Sequence, residues 1–124
     1  MRTGLDAILE TLNAHYMFDA RGRISEARAE GVLPRFVLGR AAEGCIWRFR
    51  FDLVEGVVAS LSRIAGREPG ARFDGELPAP PERLVALERL LLPPESLRGD
   101  ARGSVSRSPV TRDGVAVGEI WQIA

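Results

Sequence analysis

The chain has 124 residues, of which 45% are apolar and 27% charged, as expected for one globular domain with a single core. Its 17 basic residues, all arginine, balance its 17 acidic residues, so the chain lacks the positive excess that drives binding to nucleic acid. One Cys and one His exclude an internal disulfide and a structural zinc site.

The N-terminal quarter predicts one helix and a short hairpin. Residues 15–18 predict a strand that turns through 19–22 and returns at 23–24, and polar residues 25–31 predict a solvent-facing connection. No apolar run is long enough for a signal peptide or a membrane span, so we expect a cytoplasmic protein with no membrane partner. The helix is predicted over about residues 4–13 from apolar residues at helical spacing: Leu5, Ile8, Leu9 and Leu12.

The most regular pattern is an alternation of period two over residues 35–51, which predicts a β-hairpin. With residues 41–44 as its loop, Leu38 lies opposite Trp47 and Phe36 lies opposite Phe49, so their side chains share one face. Cys45 lies on the same face, and we expect it to be a small buried hydrophobe.

A helix is predicted directly after this hairpin. We expect Asp52 to cap its first turn and Glu55 to complete a capping box, and Gly66 to end it. The apolar side of the helix is formed by Val54, Val57, Val58, Leu61, Ile64 and Ala65.

The second half of the chain predicts a helix and a terminal hairpin. Residues 67–81 are rich in Pro and Gly and are the best candidate for a hinge, and Pro81 begins a helix that ends before Pro93. A turn at 112–114 then joins two strands, and Pro109 indicates an edge or a bulge in the first of them. We expect one face of the last strand to carry Val115, Val117, Trp121 and Ile123.

Together these elements predict a single α+β domain over residues 1–124, with a hinge at 67–81. Its sheet is mostly antiparallel and is built from hairpins, with three helices packed against it.

The residues supply little catalytic chemistry. His15 is the only imidazole, so no Ser or Cys has an evident base, and we expect His15 to be a structural or surface residue. No carboxylates have a metal-ligand spacing, and the glycines at 66–70 follow a helix and include a proline, unlike a phosphate-binding loop. The sequence therefore predicts no catalytic residue, no metal and no cofactor.

Three arginines form the one candidate binding site. In the predicted register Arg35 faces Arg50 and lies diagonally from Arg48, so three guanidinium groups project from the polar side of the hairpin. Like charges this close need an acid or a ligand, which makes the patch a candidate for a carboxylate or phosphate. The alternative is a set of solvated arginines from an arginine-biased genome, paired with nearby glutamates.

Part of the chain resembles the N-terminal region of bacterial GNAT-type N-acetyltransferases. The resemblance rests on residues 21–24, 34–40, 43–44, 47–50, 52–53, 70–73 and 77–78, and extends from about Phe18 to Pro81. In that family this region precedes the catalytic fold, where a loop of the form Arg/Gln-x-x-Gly-x-Gly/Ala binds acetyl-CoA. Residues 113–121 resemble the hairpin that leads toward that loop, but no such loop follows them. We therefore transfer no catalytic or coenzyme-binding residue.

Three hypotheses for the function follow from these observations. The first is a non-catalytic accessory domain that binds a partner chain, a second copy of itself or a small ligand, with exposed sheet edges as its contacts. The second is an acetyl-CoA-dependent N-acetyltransferase whose coenzyme site is completed at a subunit interface. The third is a ligand sensor, because residues 18–24 are similar to the opening hairpin of PAS domains.

Overall fold

The structure, a computed structural model, describes residues 3–28, 33–73, 78–83, 86–87 and 105–123. The predicted α+β fold with antiparallel sheets is confirmed. The described elements are α1 (Gly4–His15), β1 (Tyr16–Phe18), β2 (Ile24–Ala27), β3 (Phe36–Ala41), β4 (Gly44–Phe49), α2 (Glu55–Ala65), β5 (Val105–Arg112) and β6 (Val115–Ile123).

Two of the three expected helices are therefore seen, and the third falls largely outside the described residues. Within it, Leu87 is buried and donates its backbone N–H to the carbonyl of Arg83 at 3.0 Å. Neither α1 nor α2 is long and apolar enough to cross a membrane.

Four strands form the main sheet in the order β4-β3-β6-β5, and β1 and β2 form a separate two-stranded sheet. The predicted register of the β3–β4 hairpin is confirmed, with Phe36 opposite Phe49 and Leu38 opposite Trp47. The loop is shorter than expected, because Ala41 still pairs with Gly44 and only two residues remain between the strands. The β1–β2 sheet meets the main sheet at one bridge, between Ile24 and Arg50.

Helices cover both faces of the main sheet. The face that packs against α2, called the α2 face below, carries a core of Phe36, Leu38, Phe49, Val58, Leu61, Ala65, Leu87, Trp121 and Ile123. The opposite α1 face carries a core of Ala7, Ile8, Leu12, Tyr16, Ile24, Val37, Ala41, Val110 and Ile120. Because β3 is central and covered on both sides, all six of its residues are buried.

Glycine allows α1 to approach the sheet closely. A Cβ on Gly39 would lie 2.4 Å from Cγ2 of Ile8, a residue with no exposed surface. Any larger residue at position 39 forces α1 outward or distorts Ile8.

The expected start of α2 is wrong. Its N-cap is Val54, which makes no side-chain capping bond, and Asp52 instead accepts a bond from Nε of Arg50 at 2.7 Å. Glu55 binds two arginines of the β1–β2 turn and does not close a capping box. Charge pairing with arginine thus replaces the local capping bond that the sequence suggested.

A capping box does occur at the start of α1. The side chain of Thr3 accepts from the N–H of Asp6, and the Asp6 carboxylate accepts from the N–H of Thr3. These bonds, chiefly the one from the Thr3 backbone, lower the pKa of Asp6.

Two N-terminal expectations also need correction. His15 belongs to the last turn of α1 and does not open a strand. Ser25, Glu26 and Ala27, expected in a loop, lie in β2, where Glu26 pairs with Met17. A strand at the protein surface needs only one apolar face. The polar residues on the outer face of β2 therefore made this segment look like a loop in the sequence.

The terminal hairpin forms as expected, and Pro109 lies on the edge strand β5. The pairing jumps from Val110–Gly118 to Thr111–Ala116, so Val117 is an extra residue in β6. This bulge overturns the expected common face, because Val117 packs in the α1-face core whereas Trp121 and Ile123 pack in the α2-face core.

Candidate functional site

Of the three arginines predicted as an anion site, Arg48 lines a cleft whose walls include neither Arg35 nor Arg50. The backbone N–H of Arg50 donates to the carbonyl of Arg35 at 3.0 Å, as the register requires. Burial, followed by the charge of Arg50, lowers the pKa of Arg35. The guanidinium of Arg50 is occupied by Asp52 and by the carbonyl of Leu33 at 3.3 Å. Whether this pair binds an external anion stays a prediction.

Arg48 lies in a separate cleft, called the arginine cleft below. Its Nη1 donates to the carbonyl of Trp47 at 2.7 Å, which holds the side chain beside the edge of β4. The cleft runs between that edge, the β1–β2 turn and α2, and its volume is about 340 Å³. Its walls are Arg21, Gly22, Arg23, Trp47, Arg48, Phe49, Val58 and Ser62.

Two further arginines reach this cleft from the β1–β2 turn. Nη1 of Arg21 lies 2.9 Å from Glu55 Oε1, and Nη2 of Arg23 lies 3.0 Å from Glu55 Oε2. The side chain of Arg23 is only 12% exposed, and its Nη1 is buried with no hydrogen-bond partner in the described part of the chain. Two of the three guanidinium groups in this cleft, those of Arg21 and Arg23, thus share one carboxylate.

The turn that presents these arginines is fixed by Asp19. One oxygen of its carboxylate accepts the backbone N–H groups of Arg21 at 2.9 Å and Arg23 at 3.0 Å. The bond from Arg23 is the main cause that lowers the pKa of Asp19. Gly22 adopts φ 77°, a conformation that other residues rarely tolerate.

Sequence reasoning missed Arg21 and Arg23. It did predict the turn between them, but their meeting with Arg48 depends on the bridge between Ile24 and Arg50, a contact between distant parts of the chain. The available signal was two arginines on either side of a turn glycine, a pattern that also fits a solvated turn.

A second concentration of charge lies under the segment that follows α2. The buried ion cluster consists of Arg40, Glu68, Arg83, Arg107 and Glu119. The side chains of Arg40, Glu68 and Glu119 are 6%, 2% and 1% exposed. Such a cluster persists only where its charges are paired and hydrogen-bonded.

Glu119 is the centre of this cluster. Its Oε1 accepts from Nε of Arg40 at 2.9 Å and from the indole Nε1 of Trp121 at 2.7 Å. Its Oε2 accepts from Nε of Arg107 at 2.5 Å, and the Arg107 guanidinium lies 4.8 Å from the centre of the Trp121 ring. Both carboxylate oxygens are therefore fully engaged.

Two further reactive groups, Cys45 and His15, lie on different elements, β4 and α1. Burial, with a smaller effect from the Glu68 charge, raises the pKa of the Cys45 thiol to about 11, so this sulfur is protonated at neutral pH. His15 is exposed at the end of α1. Among the residues that the structure describes, no three His, Cys, Asp or Glu side chains are grouped as a metal site requires.

No family model matches the chain, and no curated protein and no solved structure is significantly similar to it.

Proposed function

We propose that this chain is a non-catalytic binding domain that holds a small anionic ligand with an apolar body in the arginine cleft. The observation that carries the proposal is the Nη1 atom of Arg23, which is buried without a partner in the wall of that cleft. A buried cationic donor is costly to leave unpaired, and an anion in the cleft removes that cost.

The charge balance of the cleft favours an anion. Arg21, Arg23 and Arg48 line it, and among the described residues the carboxylate of Glu55 pairs with two of them. Partial burial strengthens the interaction between a guanidinium and an anion relative to water. A carboxylate or phosphate also matches the fork of donors that arginine presents.

The other walls of the cleft favour an apolar body on the ligand. Phe49 and Val58 are buried, and the indole of Trp47 is held by a long bond from its Nε1 to the hydroxyl of Ser62, at 3.4 Å. A volume of about 340 Å³ falls in the size range of small-molecule sites. A ring or branched chain attached to the anion can pack on these side chains.

The test is calorimetric titration with benzoate, with benzamide as the neutral molecule of the same shape. We expect benzoate to bind and benzamide to bind much more weakly, because only benzoate pairs with guanidinium groups. Arg48→Ala should weaken benzoate binding roughly tenfold or more, as expected for the loss of one charged hydrogen bond.

Arg50→Ala is the matched control. Arg50 lies two residues from Arg48 but pairs with Asp52 and does not line the cleft. This substitution should leave benzoate affinity within about twofold. Equal binding of benzoate and benzamide, or equal losses in the two variants, would overturn the proposal.

We also propose that the chain is related to the N-terminal part of GNAT-type acetyltransferases. We further propose that it is cytoplasmic, and that a protein partner or a second copy of the chain binds at a sheet edge. The competing hypothesis is that the chain is an acetyltransferase, and it is tested by the midpoint of thermal unfolding with and without acetyl-CoA. A bound coenzyme raises the midpoint by mass action, so a clear rise favours the acetyltransferase and no rise favours the binding domain.

A further inference from the structure

A sheet edge runs along one side of the arginine cleft. β4 is the outer strand in the order β4-β3-β6-β5, and among the described residues it forms a ladder only with β3. Its residues Trp47, Arg48 and Phe49 are walls of the cleft. The outward N–H and C=O groups of an edge strand can bind another extended chain. The cleft therefore offers backbone groups as well as guanidinium groups to a ligand.

The register shows which backbone groups of β4 face this edge. The N–H of Arg50 donates to the carbonyl of Arg35 at 3.0 Å. Counted from this bond, every second residue of β4 is hydrogen-bonded to β3, and the residues between them direct their N–H and C=O groups the other way. Cys45 and Trp47 are two of the latter, so their backbone groups point toward the edge.

The edge is closed at the end of β4. Nη1 of Arg48 donates to the outward carbonyl of Trp47 at 2.7 Å, in the place that the N–H of a further paired residue would take. Beyond it, the N–H of Phe51 is bonded to the carbonyl of Ile24 in β2 at 3.0 Å. An extended chain that pairs with β4 therefore has to stop at Arg48.

Charge decides which end of the chain stops there. Arg48 meets Arg21 and Arg23 in the cleft, and these guanidinium groups repel an amino terminus and attract a carboxylate. A chain whose C-terminus lies at this end runs parallel to β4. We propose, building on the proposed function, that the ligand of the arginine cleft is the C-terminal end of an extended peptide, which adds a short parallel strand to β4.

This arrangement gives each group a partner. The penultimate residue of the peptide lies opposite Ile46, so its N–H donates to the carbonyl of Cys45 and its C=O accepts from the N–H of Trp47. The last residue lies opposite Trp47, and its carboxylate meets Arg48. Its side chain lies on the α2 face, where Trp47 and Val58 supply apolar surface. A branched apolar residue such as valine suits this last position.

The experiment is calorimetric titration of the full chain with an N-acetylated tetrapeptide that ends in valine. The same peptide with a C-terminal amide should bind roughly tenfold more weakly, because it lacks the charge that pairs with arginine. N-methylation of the penultimate residue removes the bond to Cys45 and should weaken binding about three- to tenfold. N-methylation of the last residue is the matched control. That N–H points away from β4, so the affinity should be unchanged.

Benzoate, titrated in parallel, separates this inference from the proposed function. If benzoate binds but the two N-methylated peptides bind equally, or the acid and amide peptides bind equally, strand pairing at a C-terminus is refuted and the anion site stands. If neither benzoate nor the acid peptide binds, both proposals fail. Arg48→Ala should reduce the preference for the acid over the amide, whereas Arg50→Ala, outside the cleft, should preserve it.

Discussion

The position of Glu119 at the centre of the buried ion cluster makes its charge a measurable part of stability. Glu119→Gln keeps the shape of the side chain but removes the negative charge between Arg40 and Arg107. Loss of one partner from a buried pair costs about 3–5 kcal/mol, because the other charge stays buried without compensation. With an unfolding entropy of about 2 cal/mol/K per residue, the melting temperature of a 124-residue domain falls by roughly 12–19 °C.

Glu55→Gln is the matched control for this experiment. Glu55 also bridges two arginines, but its side chain is 64% exposed, so its ion pairs are screened by water. The control should lose at most about 1 kcal/mol. Urea and thermal unfolding of both variants give the two free energies. If Glu119→Gln loses no more than Glu55→Gln, burial does not set the strength of these pairs and the reasoning fails.

Three further substitutions and one chemical modification test local features of the fold. Gly39→Ala should cost about 1–3 kcal/mol in urea unfolding because its Cβ meets Ile8, whereas Gly56→Ala, which meets nothing within 4 Å in α2, should stabilise by about 0.5–1 kcal/mol. Val54→Ser supplies the missing N-cap at a side chain that is 71% exposed, and should raise the unfolding free energy by about 1 kcal/mol; no gain would show that the α2 amides are already satisfied. At pH 8 the raised pKa keeps Cys45 protonated, so iodoacetamide should modify it roughly a hundredfold more slowly than in urea; equal rates would contradict the burial of this thiol.

The register of the central hairpin could be predicted because it depends on neighbouring residues alone. Phe36 and Leu38 in β3, and Trp47 and Phe49 in β4, recur at every second position, and a shift by one residue would have placed Trp47 and Phe49 against the wrong face. The alternation also contained a sign of the buried ion cluster. Arg40 shares its face with Phe36 and Leu38, so a charged residue stood at a core position.

The partner of Arg40 could not be predicted in the same way. Glu119 is 79 residues away, and it meets Arg40 only because β6 pairs with β3 and not with β4. The arginine cleft depends on a similar distant contact, at the bridge between Ile24 and Arg50. Local patterns fix which face a residue occupies, but strand order decides which residues meet.

The bulge at Val117 was not predicted from the sequence for a different reason. A single inserted residue reverses the alternation of everything on one side of it. The local sign of the bulge is Gly118, next to the extra residue, but a glycine also occurs where two backbones approach closely in an unbroken strand. Val115 and Val117 therefore fitted the pattern of Trp121 and Ile123 although they do not share their face.

The buried ion cluster follows from the way the α2 face is covered. α2 packs against β4, at one edge of the sheet, and residues 78 and 79 of a proline-rich segment lie over β3 and β5. Irregular chain over a core exposes carbonyl groups that need donors. Arg40 and Arg107 supply them, to Ala79 at 2.6 Å and to Pro78 at 2.9 Å. A buried cation and a partly buried cation then require an anion between them, and Glu119 occupies that position. The cluster thus follows from covering part of the sheet with irregular chain. Neutralising Glu119 should therefore loosen the segment at Pro78 and Ala79 as well as lower the unfolding free energy.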